Sequence, residues 1–228
     1  MSKVVVVFDL DDTLYYEIDF LKSAYLEIAN SIAELEGIEL TTEKIFEEMI
    51  ESFENKENVF QRLIDKYKKI NFTVKDLINK YRSHSPSISL SIDTVYILNY
   101  LKDNNIEMGI ITDGRSEQQH SKIKALGLDK YIKYIIVSEE IGSEKPNLEN
   151  YQSIEDKFKG EDTEFYYVGD NLQKDFVTPN KLGWFTVCLK DKGYNIHSQK
   201  TKVPIEYKPA FTIKSMYCLK DIVLGDKD

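Results

Sequence analysis

Apolar and polar positions follow two different periodicities along this chain. Residues 4–8 form a continuous β-branched and aromatic run, which is typical of a strand buried on both faces of a parallel sheet. Apolar residues then recur at helical spacing, with a polar, proline-containing break at residues 83–91. The spacing predicts that residues 17–84 are all helical, with Gly37 as the C-cap of the first helix. Four helices are predicted there, at 19–36, 42–53, 59–69 and 73–82.

After the break, apolar runs alternate with helical patterns. Strands are predicted at 108–112, 134–137, 165–169, 184–189 and 210–213, and helices at 91–104, 117–126, 150–158 and 175–182. This alternation indicates βαβ units and a parallel sheet to which the first strand also belongs. The predicted fold class is therefore α/β, with a Rossmann-like parallel sheet core and an inserted all-helical segment. We place the core at residues 1–15 and 89–228 and the insertion at 16–88.

Composition and charge narrow the function classes. The 228 residues are 42% hydrophobic and 30% charged, with a net charge of −9, so a nucleic-acid partner is not expected. The first apolar run is too short for a membrane span, and we expect no membrane partner. Cys188 and Cys218 lie in apolar runs and are predicted to be core residues, which fits a reducing, cytoplasmic location. We expect a monomer or a homodimer.

Charged and hydroxyl residues follow the predicted strands, at the edge where ligands bind in open α/β sheets. Asp9 and Asp11 follow the first strand, and Asp170 and Asp175 follow another. Carboxylates gathered in a cleft repel one another and need a cation. Oxygen ligands without His or Cys favour a hard ion, and Mg²⁺ commonly pairs carboxylates with a substrate phosphate.

A second group of residues suits an anion. Lys145 supplies a positive charge, Thr112 a hydroxyl, and Asp113 and Gly114 their backbone amides. Together with Mg²⁺ these groups would form a pocket for a tetrahedral phosphoryl group. A phosphate ester is therefore the expected substrate.

Asp9 and Asp11 are expected to divide the chemistry. Asp9, at the end of the strand, is the candidate nucleophile for an aspartyl-phosphate intermediate. Asp11 could hold a proton at neutral pH, give it to the leaving alkoxide and take one from the attacking water.

The motifs as a set resemble those of the haloacid dehalogenase-like hydrolase superfamily, in the same order along the chain. The matching segments are Asp9-Leu10-Asp11-Asp12-Thr13-Leu14, Thr112, Lys145-Pro146, and Gly169-Asp170 with Asp175. The resemblance implies that Asp9 is the nucleophile and that Asp11 is the acid/base, with its backbone carbonyl on Mg²⁺. It further implies that Thr112 and Lys145 bind phosphate, that Asp170 binds the metal and that Asp175 supports it through a water or the lysine. The insertion resembles the superfamily's helical C1 cap.

The most favoured function is a Mg²⁺-dependent phosphatase acting on a small phosphorylated metabolite, either a nucleotide monophosphate or a sugar phosphate. Asp11 favours phosphate transfer over carbon–halogen cleavage, because a halide leaving group needs no proton. A phosphomutase of the same superfamily stays open, as do a non-enzymatic phosphoaspartate receiver and a protein that only binds a phosphorylated ligand.

Several residues near the motifs have an ordinary structural interpretation. Tyr16 could form a wall of the substrate pocket or pack at a hinge, and Asp12 is expected to cap or brace a loop. The three histidines, His84, His120 and His197, show no metal-ligand spacing and are expected in surface or linker positions. Residues 190–209 are polar and irregular, and we predict a surface excursion without an assigned role.

Overall fold

A computed structural model describes residues 3–35, 39–158 and 162–225. The predicted C-cap Gly37 lies outside these residues. The chain divides into two compact units, one formed by Met1–Glu17 with Ser89–Asp228 and the other by Ile18–Ile88.

A six-stranded sheet in the order β3-β2-β1-β4-β5-β6 forms the centre of the first unit, and every pair of neighbouring strands is parallel. The predicted α/β class with a parallel sheet is confirmed. Val5, Val6, Val7 and Phe8 of β1 are completely buried, as their apolar run predicts. The strands are β1 (Lys3–Phe8), β2 (Glu107–Thr112), β3 (Tyr134–Val137), β4 (Thr163–Gly169), β5 (Phe185–Leu189) and β6 (Phe211–Ile213).

Each helix that was predicted in this unit starts and ends within three residues of its predicted bounds. Two short helices, at Ser138–Ile141 and Leu219–Val223, were not predicted, because four or five residues are too few to show a helical period. The helices are α5 (Ile92–Asp103), α6 (Ser116–Ala125), α7 (Ser138–Ile141), α8 (Leu148–Glu155), α9 (Val177–Lys181) and α10 (Leu219–Val223). Cys188 is buried as expected, but Cys218 is exposed, so its prediction as a core residue is wrong.

Every regular element described in the second unit is helical. Ile28, Ile32, Ile45, Met49 and Leu77 form the centre of its apolar core, at the positions where the sequence shows helical spacing. These helices are α1 (Glu17–Ala33, whose first residue lies in the first unit), α2 (Thr42–Glu54), α3 (Val59–Lys66) and α4 (Val74–Ser83).

A local capping motif explains where α4 begins. Thr73 accepts a hydrogen bond from the Asp76 amide, and the Asp76 carboxylate accepts one from the Thr73 amide, which makes a capping box. His84 follows the helix and is buried, with Nδ1 2.9 Å from the Tyr81 carbonyl and its ring 4.6 Å from that of Phe20. His84 lies in the predicted linker at residues 83–91, one of the two expected kinds of position, but it is buried and not at the surface.

Among the described helices, none combines the length and the apolar composition needed to cross a bilayer.

Candidate active site

The predicted site residues come together because they follow neighbouring strands. β1 lies between β2 and β4, and Phe8 is in register with Ile110 and Val168. Asp9 continues the ladder by donating its amide to the Val168 carbonyl at 2.8 Å. The strand order reverses direction between β1 and β4, which is the point where open α/β sheets bind ligands. Asp9 and Asp170 stand on either side of this point.

Lys145 is a buried cation at the centre of the site. Its Nζ lies 2.7 Å from Asp9 Oδ1, 2.8 Å from Asp175 Oδ1 and 3.2 Å from the Tyr167 hydroxyl. Its backbone amide donates to Asp113 Oδ1 at 2.9 Å, which fixes the segment that precedes α8. Burial acts to lower the pKa of Lys145, but the charges of Asp175 and Asp9 outweigh it and raise the pKa well above its usual value. Lys145 is therefore charged throughout the physiological pH range.

Asp175 holds the lysine and the turn after β4 at the same time. Its Oδ2 accepts the backbone amides of Asp170 and Asn171, at 3.1 and 2.8 Å, while its Oδ1 faces Lys145. Gly169 is required for this packing, because a Cβ there would lie 2.4 Å from Asp175 Oδ2. With both oxygens engaged, Asp175 suits the predicted support of the site through the lysine better than direct ligation.

The carboxylates of Asp9 and Asp170, with Asp175 beside them, are placed to suit a hard divalent cation. Each offers an oxygen, and the three oxygens lie within 4.8 Å of one another. Burial, partly offset by Lys145, raises the pKa of Asp9 to about 7. Burial and the charges of Asp175 and Asp9 raise the pKa of Asp170 to about 9. A divalent ion would relieve this repulsion, and an all-oxygen donor set suits Mg²⁺.

Asp11 has partners of its own that were missed at the sequence level. Lys122 Nζ lies 2.7 and 2.9 Å from its two carboxylate oxygens, Gln119 Nε2 donates to Oδ2 at 2.9 Å, and the Tyr15 hydroxyl donates to Oδ1. Burial acts to raise the pKa of Asp11, but the charge and hydrogen bonds of Lys122 and the other two donors outweigh it and lower the pKa. In the arrangement described, the buried Lys122 therefore favours the ionised form of Asp11, whereas the predicted acid role needs the protonated form.

Only some of the predicted anion-binding groups are free to contact a ligand in this structure. Thr112 is buried at the cavity wall, and its Oγ1 accepts from Gln119 Nε2 at 2.6 Å, so its own hydrogen remains available to a ligand. Asp113 also lines the cavity. The Gly114 amide instead donates to Ser138 Oγ at 2.9 Å, so its prediction as a phosphate donor is wrong for this conformation.

Tyr16 is not among the residues that line the cavity. Its ring packs edge-on against Tyr194, with centroids 5.2 Å apart, which supports the packing interpretation over the pocket wall. Asp12 is confirmed as a brace: its Oδ1 accepts the Glu17 amide at 2.9 Å and its Oδ2 the Ile196 amide at 2.8 Å.

A cavity of about 130 Å³ lies over these groups, and its lining is strongly acidic. Burial and the charge of Asp11 raise the pKa of the lining carboxyl of Glu17 to about 8. When these carboxyls are ionised they repel a phosphate dianion, and added positive charge would offset that repulsion. The lining residues are Asp9, Asp11, Asp12, Glu17, Thr112, Asp113, Lys145, Asp170, Asn171, Lys174 and His197.

Glu17, Lys174 and His197 were not predicted as site residues. The proximity of Glu17 to the first motif was the one available signal. Lys174 pairs with Asp113 at 2.9 Å and His197 belongs to the segment after β5, and nothing in the local sequence links either to the cavity.

Comparison with known proteins agrees with this geometry. A family model described as haloacid dehalogenase-like hydrolase matches residues 6–188, and the chain belongs to this family. A glyceraldehyde 3-phosphate phosphatase from Methanocaldococcus jannaschii is 29% identical over 226 residues, covering 96% of both chains. The predicted class, a phosphoric monoester hydrolase of this family, is thereby confirmed.

Two further proteins are similar to this chain. The pyrimidine 5'-nucleotidase YjjG from Escherichia coli is 28% identical over 57% of this chain and 54% of its own. The crystal structure of the HAD-hydrolase YfnB from Bacillus subtilis, bound to magnesium, has a TM-score of 0.66 at 23% identity and covers 98% of this chain and 99% of its own. The latter match shows a shared fold.

Proposed function

We propose that this protein is a Mg²⁺-dependent phosphatase that hydrolyses a small sugar phosphate through an aspartyl-phosphate intermediate on Asp9. The observation that carries the proposal is the buried contact of Lys145 with Asp9 and Asp175, next to Asp170 across the switch point of the sheet. This arrangement holds the Asp9 carboxylate beside the fixed charge of Lys145. It leaves room for a second cation, the Mg²⁺.

Asp9 and Asp170, with the Asp11 carbonyl, would hold the Mg²⁺, and Asp175 would act through Lys145. The bound ion would supply positive charge that offsets the phosphate dianion and the surrounding carboxylates. Lys145 orients the Asp9 carboxylate through Oδ1, and Thr112 donates its hydroxyl hydrogen to a phosphate oxygen. An Asp9 oxygen then forms a bond to phosphorus as the bond to the leaving alkoxide breaks.

Asp11 would balance the protons of the two steps. It gives a proton to the leaving alkoxide and takes one from the water that attacks the aspartyl phosphate, so it ends as it began. Lys122 keeps Asp11 ionised in the arrangement described, which suits the second step. A phosphate dianion beside Asp11 would raise its pKa again, because like charge disfavours ionisation, and so favours the proton needed for the first step.

Two observations favour a small sugar phosphate over a nucleotide. The cavity of about 130 Å³ is smaller than the roughly 300–1,000 Å³ of pockets for drug-sized ligands. The relative that matches over nearly the whole chain is named for a three-carbon sugar phosphate, whereas the nucleotidase matches over 57% of it. A nucleotide monophosphate remains the second candidate on the strength of that partial match.

The helical unit, which we delimit at residues 16–88, would serve as a cap. Its connections at residues 15–17 and 83–91 would act as hinges, so that closure excludes bulk water before the chemical step. Exclusion of all water after the first step would instead favour a phosphomutase.

The central test is phosphate release from p-nitrophenyl phosphate with MgCl₂ or with EDTA. We expect many turnovers with Mg²⁺, none with EDTA, and loss of at least 10³-fold in rate for Asp9→Asn. The exposed Asp129→Asn is the matched control and should retain full activity. Asp9→Asn should remain folded, because the buried Lys145 keeps Asp175 as a partner. Activity of Asp9→Asn near that of the wild type would remove Asp9 as the nucleophile.

A panel of triose, pentose and hexose phosphates with nucleotide monophosphates would identify the substrate class. We expect the highest kcat/KM for a three- to five-carbon sugar phosphate. A nucleotide that is hydrolysed faster would reverse the preference, and a product isomer without free phosphate would identify a mutase.

A further inference from the structure

The segment 190–200, which follows β5, reaches the metal-binding edge of the site although its sequence shows no motif. Asn195 Nδ2 donates to Asp170 Oδ2 at 2.8 Å, and Gln199 Nε2 donates to the Asp170 carbonyl at 2.8 Å. Asp170 is therefore held by this segment at both its side chain and its backbone.

The segment is built so that Asn195 has a fixed position. Asp191 Oδ1 accepts the backbone amides of Gly193, Tyr194 and Asn195, at 2.6, 3.0 and 3.2 Å. This side chain closes a tight turn, as Asp does in Asx-type turns. The turn ends at Asn195, whose side-chain amide faces Asp170.

Gln199 ties the base of the same segment to the sheet. Its Oε1 accepts the Asp191 amide at 2.9 Å, and its Nε2 also donates to the Leu189 carbonyl at the end of β5, at 2.8 Å. Ile196 adds a further anchor through its amide, which donates to Asp12 Oδ2 at 2.8 Å. The segment thus connects the turns that follow β1, β4 and β5.

Of the two carboxylate oxygens of Asp170, Oδ2 is engaged by Asn195, and no donor from the described residues reaches Oδ1. An amide donor on one oxygen fixes the rotation of the carboxylate and stabilises its ionised form. Groups that orient a metal ligand in this way commonly govern metal affinity.

We infer that Asn195 is a positioning residue for the cation site: it holds Asp170 Oδ2 so that Oδ1 is presented to Mg²⁺. The inference deepens the proposed function and rests on it only for the identity of the ion. It assigns a role to a segment that has no motif of the family.

The direct test is titration of the metal-free protein with MgCl₂ by isothermal calorimetry. Asn195→Leu keeps the number and branching of the side-chain heavy atoms but has no donor, and we expect its Kd for Mg²⁺ to be at least 10-fold weaker than that of the wild type. Ser198→Ala, a neutral change at an exposed residue of the same segment, is the control and should bind as the wild type does. An unchanged Kd for Asn195→Leu would overturn the inference.

Activity gives a second readout that a general loss of structure would not mimic. In Asn195→Leu, the MgCl₂ concentration that gives half-maximal phosphate release should rise by about the same factor as the Kd for Mg²⁺. Its kcat at saturating MgCl₂ should stay within about twofold of the wild type. A fall in kcat that MgCl₂ cannot restore would contradict a role confined to the cation site.

Hydrogen exchange of the unmodified protein decides the matter if the variant does not fold. Because coupling between two sites is reciprocal, Mg²⁺ should slow amide exchange in 190–200, including the Ile196 amide, and leave α10 unchanged. Equal exchange with and without MgCl₂ would count against the inference. If Mg²⁺ binds and protects the segment but no phosphate ester is hydrolysed, the proposed function fails and the role of Asn195 stands.

Discussion

Asp9 and Asp11 stand two residues apart but belong to separate charge networks. Asp9 shares Lys145 with Asp175, whereas Asp11 is paired with Lys122 and receives hydrogen bonds from Gln119 and Tyr15. The pKa of Asp9 is raised, chiefly by burial, while that of Asp11 is lowered because Lys122 outweighs burial. The two carboxylates can therefore have different chemical roles although both lie in the same short motif after β1.

Replacement of Lys122 by Met should be costly, because it leaves the Asp11 carboxylate without its cation. Removing one partner of a buried ion pair costs about 3–5 kcal/mol, and we expect the lower end because the Asp11 side chain is 19% exposed. Urea unfolding of Lys122→Met measures this loss. Lys124→Met, on the exposed side of the same helix, is the control and should change the stability by less than about 0.5 kcal/mol. Equal stabilities for the two variants would show that the Asp11–Lys122 pair contributes little.

At the scale of elements, the turn after β4 depends on the absence of a side chain at Gly169. Gly169→Ala would place a Cβ 2.4 Å from Asp175 Oδ2, so Asp175 would have to shift away from Lys145 and from the amides of Asp170 and Asn171. We expect a stability loss of about 1–3 kcal/mol from overpacking together with a large loss of phosphatase activity.

Gly109→Ala is the matched control for this change. Gly109 also lies in a central strand, and its Cβ would meet Ile154 and the Tyr134 carbonyl at 3.3 Å, away from the cavity. It should lose stability while its kcat at saturating MgCl₂ stays near that of the wild type. Loss of activity in both variants to the same extent would mean that the turn after β4 has no special role.

At the scale of the whole molecule, stability and metal binding should be coupled through pH. Burial and like charge raise the pKa of Asp9, Glu17 and Asp170 to about 7, 8 and 9. The folded metal-free protein therefore retains protons that the unfolded chain releases near pH 4. Since the native state then binds more protons than the unfolded state, stability falls as the pH rises from about 4 to 9. The lowered pKa of Asp11 acts in the opposite direction, but only below about pH 4.

Thermal melts at pH 6, 7.5 and 9 check this coupling. With EDTA, the Tm should fall as the pH rises, and MgCl₂ should raise the Tm most at pH 9, because the ion stabilises the ionised carboxylates. Asp170→Asn removes the carboxyl with the highest of the three pKa values and should flatten the EDTA profile. A Tm that rises with pH in EDTA would contradict the placement of these carboxylates.

Sequence patterns were sufficient to predict the parallel sheet, the helices described between residues 18 and 88, and the strand ends that carry Asp9, Thr112 and Asp170. These features follow from local periodicity and from the general convergence of parallel strand ends, and both can be deduced from one chain. The grouping of Asp9, Asp170 and Lys145 was also predictable, because the two aspartates directly follow apolar runs and Lys145 lies between two predicted strands in the motif order of the superfamily.

Which further side chains reach this edge depends on how the chain returns to it in the folded protein. Lys122 and Lys124 are two residues apart on α6 and look alike in sequence, yet only Lys122 is buried, where it pairs with Asp11 111 positions away. Asn195 and Gln199 lie in a polar, aperiodic stretch, and it is the turn closed by Asp191 that directs them to Asp170. Periodicity reports how a residue faces its own element, whereas the partner of a buried charge depends on where the chain returns in space.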